Sequence, residues 1–101
     1  MNNVIYKYAL AIVGRQTISL PKYSDILSVK EQLGEVCVWV MHDIDSSKEK
    51  REILIFGTGQ PAPDNIMDTH DFIDTVVAYG GAFIWHVFIS KVKEGGYAEF
   101  V

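Results

Sequence analysis

Three histidines, one cysteine and thirteen acidic residues are the side chains of this sequence with the chemistry for catalysis or metal binding. His70 and Asp71 follow closely on Asp68, which could bring several ligands together on one loop. The chain has no His-x-His, Cys-x-x-Cys or His-Glu-x-x-His spacing, and a structural zinc site usually needs more thiolates than one cysteine supplies. We therefore interpret this stretch as an acidic turn, and we expect no metal and no cofactor.

Nucleophilic and acid–base catalysis find little support. No serine stands in a Gly-x-Ser-x-Gly elbow, and Cys37 lies in the apolar run 36–40, which is typical of a buried, unreactive thiol. An acid–base pair would have to come from the aspartates of one irregular segment, Asp64, Asp68, Asp71 and Asp74, which are more simply a solvated surface. The sequence predicts a protein that is not an enzyme, with a small hydrolase built on residues 64–74 as a minor alternative.

A glycine-containing turn, Gly57-Thr58-Gly59-Gln60, follows a predicted strand, as phosphate-binding loops do. A P-loop would continue with Gly-Lys-Ser/Thr into a helix, whereas this turn is followed by Pro61 and Pro63. The turn could still present backbone N–H groups to an anion. The alternative is a tight turn or β-bulge that needs a positive φ.

Histidine and arginine side chains extend this candidate ligand site. His86 interrupts an apolar strand, so it is either a half-buried residue bonded to the backbone or a pocket residue whose ring nitrogens contact a polar ligand. If the protein captures a small nucleotide, we expect the turn 57–60 and Arg15 to contribute backbone or cationic contacts. His70 and His86 would then contribute ring nitrogens.

Large aromatic side chains suggest a second kind of surface. A domain of this size cannot bury every large side chain, so some aromatic area is expected to be exposed. We expect Trp39, Phe83 and Trp85 to contribute to a surface for a partner protein or for self-association. The protein is accordingly expected to be a homo-oligomer.

Composition narrows the range of functions. The 101 residues are 49% apolar and 22% charged, which is typical of one globular domain. The net charge is −4, and neither half of the chain has the basic surplus that bulk nucleic-acid binding requires. No signal peptide or long apolar run is visible, so we expect no membrane association and a cytoplasmic location.

Period-two alternation predicts strands over residues 4–12, 17–20, 26–32, 36–41, 51–56 and 82–92, with the first two joined in a hairpin at Gly14-Arg15. The run 36–41 is apolar on both faces and is expected to be central, followed by a polar loop over 42–50. Residues 72–79 fit a strand or a helix, and the turn residues Gly80-Gly81 favour the strand.

These elements predict a single domain over residues 1–101 with a mainly β fold. We expect a small antiparallel sandwich or barrel of about seven short strands, with one short helix near 68–79 as the alternative for that segment. The tail, residues 94–101, is expected either to fray or to pack against a neighbour.

The order of segments resembles a family of small proteins of about this length, catalogued as a domain of unknown function and encoded mostly by bacteriophages and prophages. The most specific motifs of this resemblance are Gly-Thr-Gly-x-Pro at 57–61 and Gly-Gly-Ala-x-x-x-His-Val-Phe at 80–88. The resemblance covers most of the chain. The resemblance transfers no catalytic residue. It implies a phage-encoded accessory protein acting inside an infected bacterium.

Three hypotheses follow. The first is a non-enzymatic binding protein that inhibits or sequesters a bacterial host component, either a host defence protein or a nucleotide signal. The second is a minor virion or assembly protein that packs against copies of itself or against a capsid protein. The third is the small hydrolase mentioned above.

Overall fold

Seven strands make up most of the computed structural model, which describes residues 2–92. They form two antiparallel sheets, one in the order β1-β4-β3 and the other in the order β2-β5-β7-β6. The predicted mainly β fold is therefore confirmed, and the two facing sheets make it a sandwich. The strands are β1 (Asn3–Leu10), β2 (Arg15–Pro21), β3 (Asp25–Gln32), β4 (Glu35–Asp43), β5 (Lys48–Gly57), β6 (His70–Ala78) and β7 (Phe83–Ser90).

The core lies between the two sheets because successive side chains of a strand point to opposite faces. In β7, Val87 and Ile89 are buried on the inner face, whereas Phe88 and Ser90 lie on the outer face and are only partly buried. Burial of one such aliphatic side chain contributes about 1.5–3 kcal/mol. The buried cluster consists of Leu10, Leu20, Val29, Val36, Val38, Val40, Ile53, Ile55, Val76, Val87 and Ile89.

The centre of the three-stranded sheet is β4, as its apolar sequence predicts. The polar loop predicted over residues 42–50 is wrong in extent, because β4 continues to Asp43 and β5 begins at Lys48. Polar residues extend these strands since ladder hydrogen bonds join main-chain groups whatever the side chain. His42 is consequently a buried strand residue and not a loop residue.

The predicted hairpin between the first two strands is also wrong. Arg15 begins β2, and residues 11–14 carry the chain from one sheet to the other, so that β1 pairs with β4 and β2 pairs with β5. Gln16 supports this link: its side-chain oxygen accepts from Ala11 N at 3.1 Å and its side-chain nitrogen donates to Ala11 O at 2.7 Å. Crossing between sheets lets both strands turn an apolar face towards the same core.

The segment that precedes β6 crosses the outer face of the four-stranded sheet. Since β5 and β6 are both antiparallel to β7, residues 58–69 must travel the length of that sheet, and its inner face is occupied by the core. Ile66, in the one-turn helix α1 (Ile66–Thr69), and Leu54, on the outer face of β5, are both buried. The helix ends at Thr69, so the strand interpretation of 72–79 is confirmed.

Four connections share one end of the sandwich, which we call the upper end: residues 11–14, 33–34, 58–60 and 79–82. Gly80 and Gly81 adopt φ values of 67° and 95° in the last of these, as the predicted turn into β7 requires. No helix within residues 2–92 is long and apolar enough to cross a membrane. The expectation for the tail, residues 94–101, falls outside the described part of the chain.

Candidate functional site

His86 is held by two threonine hydroxyls. Its Nε2 is 2.8 Å from Oγ1 of Thr58, in the turn after β5, and its Nδ1 is 3.0 Å from Oγ1 of Thr75 on β6. The predicted backbone partner is thus wrong, because strand pairing places Thr75 directly opposite His86. Both ring nitrogens are occupied, and the histidine ties the turn 57–60 to the sheet.

The turn Gly57–Gln60 is closed by its own hydrogen bonds. Gly57 N donates to the side-chain oxygen of Gln60 at 2.9 Å, and Gln60 N donates to Gly57 O at 3.1 Å. Gly59 has a φ of 89°, which agrees with the tight-turn alternative. Two of the backbone N–H groups that were predicted to contact an anion are therefore already in use.

Arg15 and His70 are brought together by Glu52, a residue for which the sequence predicted no role. Arg15 Nε lies 3.1 Å from Glu52 Oε2, and His70 Nε2 lies 2.8 Å from Glu52 Oε1. The buried His70 is also hydrogen-bonded through Nδ1 to Thr69 Oγ1 at 2.7 Å. The charge that Arg15 was expected to offer a phosphate is paired within the protein.

The predicted ligand residues form two groups and not one site. Both lie on the outer face of the four-stranded sheet, where His86 is paired with Thr75 and His70 with Ser90. Ser90 follows His86 by four positions in β7, which is roughly 13 Å along a strand. The space between the two groups holds aromatic rings: Phe88 contacts Phe56 and Phe72 with ring centroids 5.8 and 5.3 Å apart.

The predicted partner residues also divide into two places. Phe83 and Trp85 stack on each other at the upper end, with ring centroids 5.6 Å apart and an interplanar angle of 6°. Trp39 lies on the outer face of the three-stranded sheet, where it lines a shallow depression of about 340 Å³ with Ile5 and Leu27. Phe83 is half exposed, and the role of these aromatic residues in contacting a partner stays a prediction.

Leu33 and Tyr79 are two of the most exposed apolar residues at the upper end, and the sequence predicted no role for either. Leu33 is 94% exposed and Tyr79 is 53% exposed, and both have a φ of 53°. The hydroxyl of Tyr79 donates to Gly34 O at 2.7 Å, which connects the turns of the two sheets. The one available signal was a Leu-Gly pair in a two-residue turn, where Asn-Gly is preferred.

We call the exposed apolar surface at this end the upper-end patch. Tyr79 contacts Phe83 edge to face, with ring centroids 5.6 Å apart. A cavity of about 130 Å³ separates Trp85 from the link 11–14, and the buried Nε1 of Trp85 has no hydrogen-bond partner among the described residues. The members of the patch are Ile12, Val13, Leu33, Tyr79, Phe83 and Trp85.

A buried polar pair in the other sheet was not predicted either. Tyr8 OH is 3.0 Å from Nε2 of His42, which is 3% exposed. The Nδ1 atom of His42 has no partner within residues 2–92. Burial, and to a lesser extent the neighbouring Tyr6, raise the pKa of Tyr8 above its ordinary value.

The remaining predictions concern metal ligands, the cysteine and the aspartates. Within residues 2–92, no three His, Cys, Asp or Glu side chains are grouped so that they could hold a metal ion. Cys37 is fully buried, as predicted. Asp68 lies on α1 and Asp71 on β6, where Lys91 Nζ is 3.1 Å from the Asp71 carboxylate.

A family model covers nearly the whole chain. Residues 1–96 match the family described as Domain of unknown function (DUF7352), and the chain belongs to that family. No curated protein and no solved structure matches it. The resemblance found in the sequence is confirmed in its coarser form, a domain of unknown function, and the phage setting stays a prediction.

Proposed function

We propose that this protein is a non-enzymatic, phage-type accessory protein that binds a protein of the bacterial host, in the host cytoplasm, and inhibits or sequesters it. The upper-end patch is its contact surface. The observation that carries the proposal is that two exposed residues with a backbone φ of 53°, Leu33 and Tyr79, lie at the same end of the sandwich as a stacked aromatic pair, Phe83 and Trp85.

This backbone conformation is unfavourable for both residues. A left-handed φ costs about 1–2 kcal/mol for a residue with a Cβ atom, and Gly or Asn adopts it most readily. Leu33, at 94% exposure, gains almost nothing from burial that could offset this cost. Strained residues that the fold itself does not use are concentrated at binding sites, which supports a role for Leu33 in contacting another molecule.

The patch also has the composition and rigidity of a protein-binding surface. Trp and Tyr are enriched among the residues that contribute most to binding between proteins. The stacking of Phe83 on Trp85 and the hydrogen bond from Tyr79 to Gly34 hold the rings in place before a partner arrives. Such preorganisation lowers the entropy lost on binding.

A protein fits this surface better than a nucleotide signal does. The patch is apolar and aromatic, and its burial against a protein would release water from it. Side chains predicted to contact a nucleotide are already bonded within the protein, Arg15 to Glu52 and His86 to its two threonines.

The proposal is tested by changing the patch and measuring affinity for a purified target. The tagged chain first captures its target from a bacterial lysate, and the target is then purified and titrated by calorimetry. We expect the double variant Leu33→Asn/Phe83→Ser to weaken binding at least about tenfold, since truncation of central interface residues has effects of this size. Wild-type protein should inhibit or sequester the target in a functional assay, and the variant should not.

Tyr23→Asn provides a matched control. Tyr23 is 86% exposed with a φ of 65°, but it lies at the opposite end of the sandwich. This control should leave the affinity within about twofold of wild type. The proposal would be overturned if both variants lost affinity equally or if neither lost any. It would also be overturned if the wild-type chain bound only further copies of itself.

A further inference from the structure

A cleft lies between the neighbouring edges of the two sheets, away from the upper-end patch. It has a volume of about 370 Å³ and is bounded by β3 on one side and β6 on the other. Both edge strands carry a β-bulge here, between Ile26 and Ser28 in β3 and between Phe72 and Asp74 in β6. Bulges bend edge strands and occur often beside binding sites.

A buried cation lines this cleft. Arg51 is 6% exposed, and its Nε and Nη2 donate to Ser90 O at 3.0 and 2.7 Å. A guanidinium has five N–H donors, and these two are the only ones with a hydrogen-bond partner within residues 2–92. No carboxylate of this part of the chain forms an ion pair with it.

The charge of Arg51 is therefore incompletely compensated. Burial lowers its pKa from the ordinary value, and Glu49 and Asp71 oppose that shift only through longer-range attraction. A buried charge without a direct counter-ion is costly, so an oxyanion placed against the free N–H groups would be strongly favoured.

The rest of the cleft restricts which anion fits. Asp25 and Asp74 also line it, and the carboxylate of Asp25 has no hydrogen bond or ion pair within the described residues. Asp71 is already paired with Lys91 at 3.1 Å. The Asp74 carboxylate accepts one hydrogen bond, from Thr75 N at 2.8 Å, and neither Asp25 nor Asp74 forms an ion pair within the described residues. These two negative charges would repel a doubly charged phosphate, but they would attract an ammonium group on the same ligand.

We infer that this cleft binds a small zwitterion of the α-amino-acid type. Its carboxylate contacts the guanidinium of Arg51, and its ammonium group is held by the combined negative charge of Asp25 and Asp74. The aliphatic walls, which include Ile26, Ile73 and Ile89, favour an apolar side chain. The volume is in the range of small-molecule sites. This inference does not depend on the proposed function, because the upper-end patch shares no residue with the cleft.

The test is an NMR titration of the full chain with alanine, valine, leucine and isoleucine, and with N-acetyl-leucine, leucinamide and inorganic phosphate. We expect at least one free amino acid to give saturable amide shifts within 24–28 and 71–74. The two blocked compounds should bind at least about tenfold more weakly, since each lacks one of the two charges. The inference would be overturned if phosphate bound more tightly than the amino acids or if the amide shifts lay elsewhere in the chain. It would also be overturned if none of the four amino acids caused amide shifts at saturating concentration.

Two variants identify the charges involved. Arg51→Lys keeps the positive charge but loses the planar geometry for a carboxylate, so affinity should fall at least about tenfold. Asp74→Asn, which does not disturb the buried arginine, should weaken leucine binding and strengthen N-acetyl-leucine binding. Asp64→Asn, on the exposed crossover, makes the same charge change outside the cleft and should have no effect. If Asp74→Asn preferred leucine over N-acetyl-leucine by the same factor as wild type, the role given to the aspartates would be contradicted, even if Arg51→Lys failed to fold.

Discussion

The outer face of the four-stranded sheet and the upper end of the sandwich differ in what their side chains are bonded to. On the sheet face, Arg15 and His70 share Glu52, and both nitrogens of His86 are occupied. At the upper end, Leu33 and Tyr79 expose apolar side chains from a strained backbone. The residues with the most reactive chemistry are thus bonded within the protein, whereas the residues exposed at a conformational cost are apolar.

The largest effect is expected from Glu52→Ala. This change leaves the buried Nε2 of His70 without a partner, which costs about 2 kcal/mol of unfolding free energy. Urea denaturation followed by fluorescence measures it. Arg15→Ala is the control: its side chain is 74% exposed, and loss of a surface ion pair should change stability by about 0.5 kcal/mol or less. A Glu52→Ala variant as stable as wild type would remove the structural role assigned to this group.

An intermediate effect is expected in the interior of the other sheet. Tyr8→Phe removes the only hydrogen bond that the His42 ring has within residues 2–92, and should cost about 1–2 kcal/mol by the same measurement. Tyr6→Phe is the matched control, because the ring of Tyr6 is perpendicular to that of His42 at 4.9 Å between centroids and its hydroxyl is not part of that bond. Equal losses in the two variants would contradict the role given to the Tyr8 hydroxyl.

The same residue predicts a pH dependence. Burial raises the pKa of Tyr8 in the folded state, so the unfolded chain loses this proton first as the pH rises. The stabilisation from the neutral phenol is complete below about pH 10 and is lost as the pH rises through the folded-state pKa. The unfolding free energy of the wild type should therefore fall above about pH 10, and that of Tyr8→Phe should fall less over the same pH range. Parallel curves for the two proteins would exclude this contribution.

The smallest effect has the opposite sign. Leu33→Asn and Tyr23→Asn each place a residue that tolerates positive φ in a turn that requires it, so each should raise the unfolding free energy by about 0.5–1 kcal/mol. Thermal unfolding of both variants measures the change. If Leu33→Asn is stabilised, the native leucine is not required for folding, a condition that its assignment to a binding surface must meet. If it is destabilised, Leu33 contributes to folding and the contrast with the sheet face disappears.

The strands could be predicted well because their signal is local. The alternation along 82–92 indicated β7, and Gly80-Gly81 indicated the turn from β6, a pairing that the register of β6 with β7 confirms. The hairpin at Gly14-Arg15 was wrong because it assumed that neighbours in sequence are neighbours in a sheet. Arg15 and Leu54 are far apart in the chain, and their pairing depends on which arrangement buries both apolar faces.

The candidate site was less predictable. Arg15, His70 and His86 could be singled out by residue type, but their partners Glu52, Thr58 and Thr75 could not, since strand register decides which outward side chains meet. Arg51 gave no signal of burial, because a charged residue in an alternating strand is ordinarily placed on the solvent side.

The amino-acid sequence alone was sufficient to predict the class of fold, the positions of most strands and the burial of Cys37. These features follow from hydrophobic periodicity over a few neighbouring residues. Strand partners, the pairing of Glu52 with two distant side chains, and the cleft around Arg51 depend on contacts between residues far apart in the chain. Those contacts are selected by packing both sheets against one core, a condition on the whole molecule that no short segment contains.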